Sequence, residues 1–166
     1  MGADGRSFHP CGRPASPVGG PDRRAGGAHQ PSRHPAVTSQ ISAIALVVPE
    51  YDPALAFYVG TLGFRLVEDI DQGHKRWVLV EPSGGGVRLV LARAEGAAQT
   101  AAIGNQAGGR VFLFLSTDDF ARDHASMLAA GVVFEEAPRH ESYGSVAVWR
   151  DPFGNRWDLI GPPVAR

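Results

Sequence analysis

The stretch RDPFGNRWDLI, residues 150–160, leads from a tight turn into a strand that carries one carboxylate, Asp158. Sixty-eight residues earlier the chain reads SGGGVRLVL, residues 83–91, and the position that matches Asp158 is Val90. Turn residues followed by alternating large apolar residues are typical of a hairpin that ends in a half-buried strand. The chain therefore contains two related strand endings, of which only the second has an acid.

The same offset of 68 residues connects further landmarks in the two halves of the chain. These pairs are Gly63 and Gly131, Gly86 and Gly154, Arg88 and Arg156, Leu91 and Leu159, and Glu50 and Asp118. In each half a buried apolar run is followed by a helix with an apolar stripe and then by three strand-like runs. The order strand, helix, strand, strand, strand thus occurs twice and predicts an α+β fold of two βαβββ modules.

The pattern also predicts where the modules and their elements lie. The domain is expected at residues 38–163, with modules at 40–93 and 110–161 and a linker at 94–109 that contains one helical turn around 97–103. The predicted strands are 41–48, 64–69, 76–81 and 87–93 in the first module, and 110–117, 132–137, 145–150 and 155–160 in the second. The predicted helices are 51–63 and 120–130. Asp52 is expected to cap the first helix, with Pro53 at its first position, and Asp118 or Asp119 to cap the second.

The first 37 residues differ in composition from the rest. Residues 1–36 hold seven Gly, six Pro and five Arg, and too few large apolar residues to offset the entropy of ordering. We predict a disordered tail, and a natural start at Val37 is a second hypothesis because the bias is typical of translated GC-rich upstream sequence. The scattered arginines, without interleaved aromatic residues, do not predict nucleic-acid binding.

The motifs FYVGTLGF, residues 57–64, and DPFGNRWDL, residues 151–159, resemble the vicinal-oxygen-chelate superfamily. That superfamily includes glyoxalase I, extradiol dioxygenases, fosfomycin-resistance enzymes and bleomycin-resistance proteins. The resemblance covers residues 38–161 and implies one curved eight-stranded mixed sheet around a cup-like cavity. It also implies a homodimer, because pairing of chains commonly covers the open sheet edges in this superfamily.

The resemblance further implies where a metal would bind. In the metal enzymes of the superfamily the ligands come from the first and fourth strands of both modules. Asp158 falls at such a position, its mate is Val90, and the first-strand positions fall near Ala43 and Phe112. Neither first strand contains His, Asp, Glu, Asn, Gln or Cys, and the fourth strand of the first module contains no His or carboxylate. A catalytic metal usually needs three protein ligands, so we predict no metal and no other cofactor.

Alternation along the fourth strands sorts the remaining candidates by face. Leu89, Leu91, Trp157 and Leu159 are expected on the helix side of the sheet. The predicted site residues, on the cup side, are Asp158, Arg88, Arg156, Val90 and Phe112. The two arginines either pair with Asp158 or bind an anionic or carbonyl group of a ligand.

Two classes of function remain. The first is a protein that binds a small, largely apolar or aromatic molecule in a metal-free cup. The alternative is an enzyme of the same superfamily, either a lyase or isomerase of the lactoylglutathione-lyase kind or a dioxygenase. In the lyase or isomerase, Asp158 would act as acid or base, and a raised carboxyl pKa would favour catalysis.

Composition limits the setting. No apolar run approaches the roughly 20 residues that span a membrane, and the single cysteine, Cys11, excludes an internal disulfide. The net charge of −1 does not favour a nucleic-acid or membrane partner. We therefore expect a cytoplasmic protein whose partners are a small molecule and a second copy of itself.

Overall fold

A computed structural model describes residues 39–163 of the chain. The hypotheses of a disordered tail and of a start at Val37 concern residues outside this range. Within it the chain has the predicted α+β fold and the predicted two βαβββ modules. Its strands lie in two sheets of four and five strands, however, and not in one eight-stranded sheet.

The first module forms the four-stranded sheet. Its elements are β1 (Ala43–Val48), α1 (Tyr51–Leu55), a π-helical turn (Ala56–Thr61), β2 (Arg65–Asp71), β3 (Arg76–Glu81) and β4 (Arg88–Arg93). The strand order is β1-β4-β3-β2, with β1 parallel to β4 and the other pairs antiparallel. β1 and β4, which pair with each other, are rich in Val, Leu and Ile, residues that favour strands.

The linker and the second module follow the same plan. They comprise α2 (Gly96–Ala102), β5 (Leu113–Ser116), α3 (Phe120–Ala129), β6 (Val133–Phe134), β7 (Arg139–Glu141), β8 (Gly144–Arg150) and β9 (Arg156–Gly161). The sheet order is β5-β9-β8-β6, and β7 also pairs with β8. Only two residues of the predicted strand 132–137 form a strand, β6, and the short strand β7 lies beyond its predicted end. Pro138 lies between them, and it has no backbone N–H to donate to the ladder.

The two predicted helix caps had different outcomes. Asp119 caps α3, since its side chain accepts a hydrogen bond from the backbone N–H of Arg122 at 3.0 Å. The prediction that Asp52 caps α1 is wrong, because Glu50 occupies that position without a side-chain bond. The Asp52 carboxylate instead accepts a hydrogen bond from Nη1 of Arg76 at 2.6 Å.

The two modules share one apolar core. The predicted helix-side residues of the fourth strands, Leu89, Leu91, Trp157 and Leu159, are all buried there. Phe57 and Tyr58 extend from the first helical segment to the second sheet. The Phe57 ring lies 6.3 Å from that of Trp149, and the Tyr58 ring lies 6.1 Å from that of Trp157. The relative placement of the modules is therefore set by aromatic packing between them. No helix within residues 39–163 is long and apolar enough to cross a membrane.

Candidate functional site

A cavity of about 680 Å³ lies between the two modules. The end of the first helical segment, the turn between β3 and β4, strand β5 and helix α3 surround it. Its apolar wall is formed by Ile44, Leu89, Leu113, Met127, Trp157 and Leu159. The cavity remains open because Gly84, Gly85, Gly86 and Ser126, which also border it, are too small to fill the space.

One wall of the cavity is held rigidly by the second module. The Trp157 indole stacks on Trp149, with ring centroids 5.0 Å apart, and its Nε1 donates a hydrogen bond to Asp151 at 3.3 Å. Trp157 is 3% exposed and Leu159 is 1% exposed. Side chains packed in this way form a fixed floor of the cavity, so a ligand that reaches it loses little affinity to reorganisation.

All residues that line the cavity lie within the described part of the chain, and Asp123 is the one charged residue among them. Its Oδ1 accepts a hydrogen bond from Nε of Arg122 at 2.7 Å, and its Oδ2 accepts one from the hydroxyl of Thr117. The bond from Arg122 is the largest cause that lowers the pKa of this carboxyl, and the bond from Thr117 also lowers the pKa. Asp123 is therefore a carboxylate at neutral pH.

The five residues predicted for the site are not brought together. Phe112 borders the cavity, whereas Asp158, Arg88, Arg156 and Val90 do not. Arg88 pairs with Glu81 at 3.2 Å and Arg156 pairs with Glu135 at 2.7 Å, and neither pairs with Asp158. The cavity lies on the helix side of the fourth strands, while alternation points these four side chains to the opposite faces.

Asp158 has an incompletely satisfied carboxyl group. It lies on β9 between Phe114 of β5 and Val148 of β8. Its Oδ1 is buried and has no hydrogen-bond partner among the described residues. Desolvation is the largest cause that raises the pKa of Asp158, and nearby Arg139 opposes the rise. Such a group can hold a proton at a higher pH than an ordinary aspartate.

The residues around Asp158 do not fit the divalent metal that the superfamily's enzymes hold. Its neighbour on the first strand of its module is Phe114, and the equivalent neighbours of Val90 are Ala45 and Leu79, none of which is a ligand. The first-strand positions are thus Ala45 and Phe114, two residues beyond those expected from the sequence. Within residues 39–163, no three His, Cys, Asp or Glu side chains gather into a group that could hold a metal.

The sequence-based prediction missed a buried cluster around Asp151, which is 4% exposed. Its carboxylate accepts hydrogen bonds from the Tyr58 hydroxyl at 2.6 Å, from the backbone N–H and side-chain amide of Asn155 at 2.9 and 2.8 Å, from the Phe153 N–H at 3.0 Å, and from Trp157. Burial first, and Asp151 second, raise the pKa of Tyr58 well above its usual value. The aspartate and asparagine of DPFGN therefore connect this turn to the helix of the other module.

The cluster extends to the linker through Asn155. The side-chain oxygen of Asn155 accepts a hydrogen bond from Gln106 at 2.9 Å. Oε1 of Gln106 accepts a hydrogen bond from the Val47 N–H at 2.8 Å, and its Nε2 donates one to the Val47 carbonyl at 3.1 Å. These are the bonds that the backbone of a neighbouring strand would make. The edge of β1, the linker and the turn before β9 are thus joined by one amide side chain.

Comparison with known proteins identifies relatives. A family model described as the Glyoxalase/Bleomycin resistance protein/Dioxygenase superfamily matches residues 40–159. A protein of Shewanella frigidimarina (strain NCIMB 400), described only as uncharacterized, is 55% identical over 120 residues, which is 70% of this chain and 89% of that protein.

Two solved structures are also similar. UcmS2 is 26% identical with a TM-score of 0.66 over 75% of this chain and 98% of its own. TnmS3, described as an antibiotic binding protein from Streptomyces sp. CB03234, is 32% identical with a TM-score of 0.59, over 78% of this chain and 99% of its own.

Proposed function

The chain belongs to the Glyoxalase/Bleomycin resistance protein/Dioxygenase superfamily, and on that premise we propose that it binds a small, largely apolar or aromatic molecule between its two modules. The observation that carries the proposal is the cavity of about 680 Å³ with its wall of apolar side chains. Pockets for small ligands typically enclose roughly 300–1,000 Å³ and are lined mainly by apolar and aromatic groups. The description of TnmS3 as an antibiotic binding protein supports a binding role.

The lining decides the kind of molecule that fits. Phe114 and Val87, which are 62% and 41% exposed, offer most of the apolar contact area. A ligand that buries roughly 200 Å² of apolar surface there gains on the order of 5 kcal/mol before the cost of association. The lining contains one carboxylate and no histidine or cysteine, so binding is proposed to need no metal or other cofactor.

Titration with the neutral fluorophore N-phenyl-1-naphthylamine tests this proposal. Ser126 borders the cavity and is itself exposed, so Ser126→Phe fills the space without disturbing the core. Ala125 is exposed on the same helix but does not border the cavity, which makes Ala125→Phe the matched control. We expect Ser126→Phe to weaken binding about 10-fold or more, equivalent to about 1.4 kcal/mol, and the control to bind like the natural protein. Equal binding by both variants would contradict the proposed location.

A second candidate function is supported by the raised pKa of Asp158. In this alternative the protein is a lyase or isomerase of the glyoxalase type in which Asp158 transfers a proton without a metal. Conversion of the hemithioacetal of methylglyoxal and glutathione by chelator-treated protein, abolished by Asp158→Asn, would favour this candidate. The dioxygenase alternative requires an iron-binding set of two histidines and a carboxylate, which residues 39–163 do not bring together.

We also propose that the protein is a homodimer. Exposed apolar side chains lie on the sheet faces that point away from the helices, among them Val133, Ile70 and Trp77, which are 65%, 51% and 36% exposed. A second copy that covered them would remove this surface from water. Sedimentation should give twice the chain mass of 17.6 kDa. A cytoplasmic location remains part of the proposal, since a chain with one cysteine needs no disulfide.

A further inference from the structure

We propose that the cavity prefers, among apolar aromatic molecules, those that carry one positively charged amine, and that Asp123 contacts this amine. The inference rests on the proposed function, because it names the class of ligand for the same cavity. It assigns a binding role to a residue of α3 that is separate from Asp158 and from the fourth strands.

The charge distribution of the lining is the first argument. Apart from Asp123, the residues that border the cavity are apolar or neutral, and none is Lys, Arg or His. A carboxylate facing a space with apolar walls attracts a cation more strongly than one in bulk water, because the apolar surroundings screen it less. The same carboxylate repels an anion, which would find no compensating cation in the lining.

The protonation state of Asp123 is the second argument. Arg122 and Thr117 lower the pKa of its carboxyl, so the group is charged at neutral pH. Each of its oxygens accepts one of these hydrogen bonds, whereas a carboxylate offers about four acceptor sites. Acceptor capacity therefore remains for a ligand that donates from the cavity.

Arg122 does not cancel the negative charge of this region. It lies outside the cavity lining and is shared between Asp123 and Asp118, which it contacts at 2.7 and 2.8 Å. A third carboxylate, Asp119, caps the same helix. The N-terminal end of α3 and the two residues before it thus carry three carboxylates and one guanidinium, a balance of negative charge that favours a cation over an anion.

Helix geometry supplies a second polar partner for the amine. Ser126 also borders the cavity and is three residues from Asp123, so the two side chains lie on the same face of α3. An ammonium group has three donors, and the carboxylate and the hydroxyl together can accept two of them. The rest of the ligand then lies against the apolar wall.

Three probes with one ring system test the inference: 1-naphthylmethylamine, 1-naphthalenemethanol and 1-naphthylacetic acid. At pH 7 the amine should bind the natural protein about 5-fold to 10-fold more tightly than the alcohol, since a charge-assisted hydrogen bond to a partly exposed carboxylate is of this size. The acid should bind more weakly than the alcohol. Asp123→Asn should bring the amine to the affinity of the alcohol and leave the alcohol unchanged.

Asp118→Asn is the matched control, because it changes the net charge equally at an exposed carboxylate just before the same helix that lies outside the cavity. It should retain the preference for the amine. An equal loss in both variants, or equal affinity of the natural protein for amine and alcohol, would overturn the contact with Asp123 while leaving small-molecule binding intact. If none of the three probes binds, the proposed function itself fails.

If Asp123→Asn does not fold, a salt titration of the natural protein decides. The preference for the amine should decline as salt rises from about 0.02 to 0.5 M, and a constant preference would contradict the inference.

Discussion

Asp151 and Asp158 lie seven residues apart in the same module and differ in almost every respect that matters physically. The Asp151 carboxylate accepts five hydrogen bonds at the junction of the modules, whereas Oδ1 of Asp158 has no partner among the described residues. A buried carboxylate with all its partners fixes a structure, and one without them costs stability unless something else uses it. Substitution should therefore have opposite effects on the free energy of unfolding at the two positions.

The largest effect is expected for Asp151→Ala. Removing this carboxylate leaves the Tyr58 hydroxyl and the Asn155 amide buried without an acceptor, which should lower the free energy of unfolding by about 3–5 kcal/mol. Urea denaturation measures this quantity. Asp118→Asn, at an exposed carboxylate, should change it by less than about 0.5 kcal/mol. A loss below about 1 kcal/mol at Asp151 would contradict a structural role.

Tyr58→Phe should have a smaller effect, about 1–2 kcal/mol, because it removes one donor of the cluster and keeps the ring in place. It should also change the dependence of stability on pH. The pKa of Tyr58 is raised in the folded protein, so above about pH 10 the unfolded chain releases the proton while the folded chain keeps it, and stability falls. Thermal melts between pH 8 and 11 should show a shallower fall in the variant than in a Tyr143→Phe control, whose ring is exposed.

Asp158→Asn should alter stability by less than about 1 kcal/mol at pH 7, and in the stabilising direction, because an amide avoids the cost of a poorly partnered charge. The pKa of Asp158 is raised in the folded protein. Above the usual carboxyl pKa of about 3.8 the unfolded chain therefore holds fewer protons, and the contribution of Asp158 to stability declines as pH rises. Melting curves at pH 4 and pH 7 should show the advantage of the variant growing with pH. If Asp158→Asn lowered the free energy of unfolding by more than about 2 kcal/mol at pH 7, the Asp158 carboxylate would have to be well hydrogen-bonded, contrary to this prediction.

The smallest effect is expected from metal ions. Purified protein should contain less than about a tenth of an equivalent of zinc, nickel, manganese or iron, and added ions should barely raise the melting temperature, since weak binding stabilises little. Elemental analysis and thermal melts measure both quantities. Stoichiometric metal in the natural protein that is absent from the Asp158→Asn variant would instead make a metal-dependent enzyme the better hypothesis.

Patterns that repeat along the chain predicted most of the fold. The offset of 68 residues and the alternation of Leu89, Leu91, Trp157 and Leu159 indicated two modules and the side that their helices cover, and the structure confirms both. The predictions that failed depend on single residues. Asp52 has a stronger partner in Arg76 than the helix end offers, and the strand expected at 132–137 is limited to the two residues of β6.

The site was harder to predict because its position depends on how the modules pack. Phe57 and Tyr58 cross to the second sheet and leave a cavity beside them, and nothing in the periodicity of either module reports that contact. The cup was expected on the Asp158 side of β9, and the cavity borders Trp157 and Leu159 on the other side of that strand. Ligand binding on either side stays a prediction. The acid and asparagine of DPFGN were a usable signal, since two polar residues beside a buried strand need partners.

A crystal structure of the protein soaked with the neutral probe 1-naphthalenemethanol shows where a small aromatic molecule binds. We expect electron density for the naphthalene ring between the modules, in contact with Leu89, Met127 and Trp157. Density beside Asp158 and Val148 on the opposite face of the sheet, with the cavity between the modules unoccupied by the probe, would contradict this expectation.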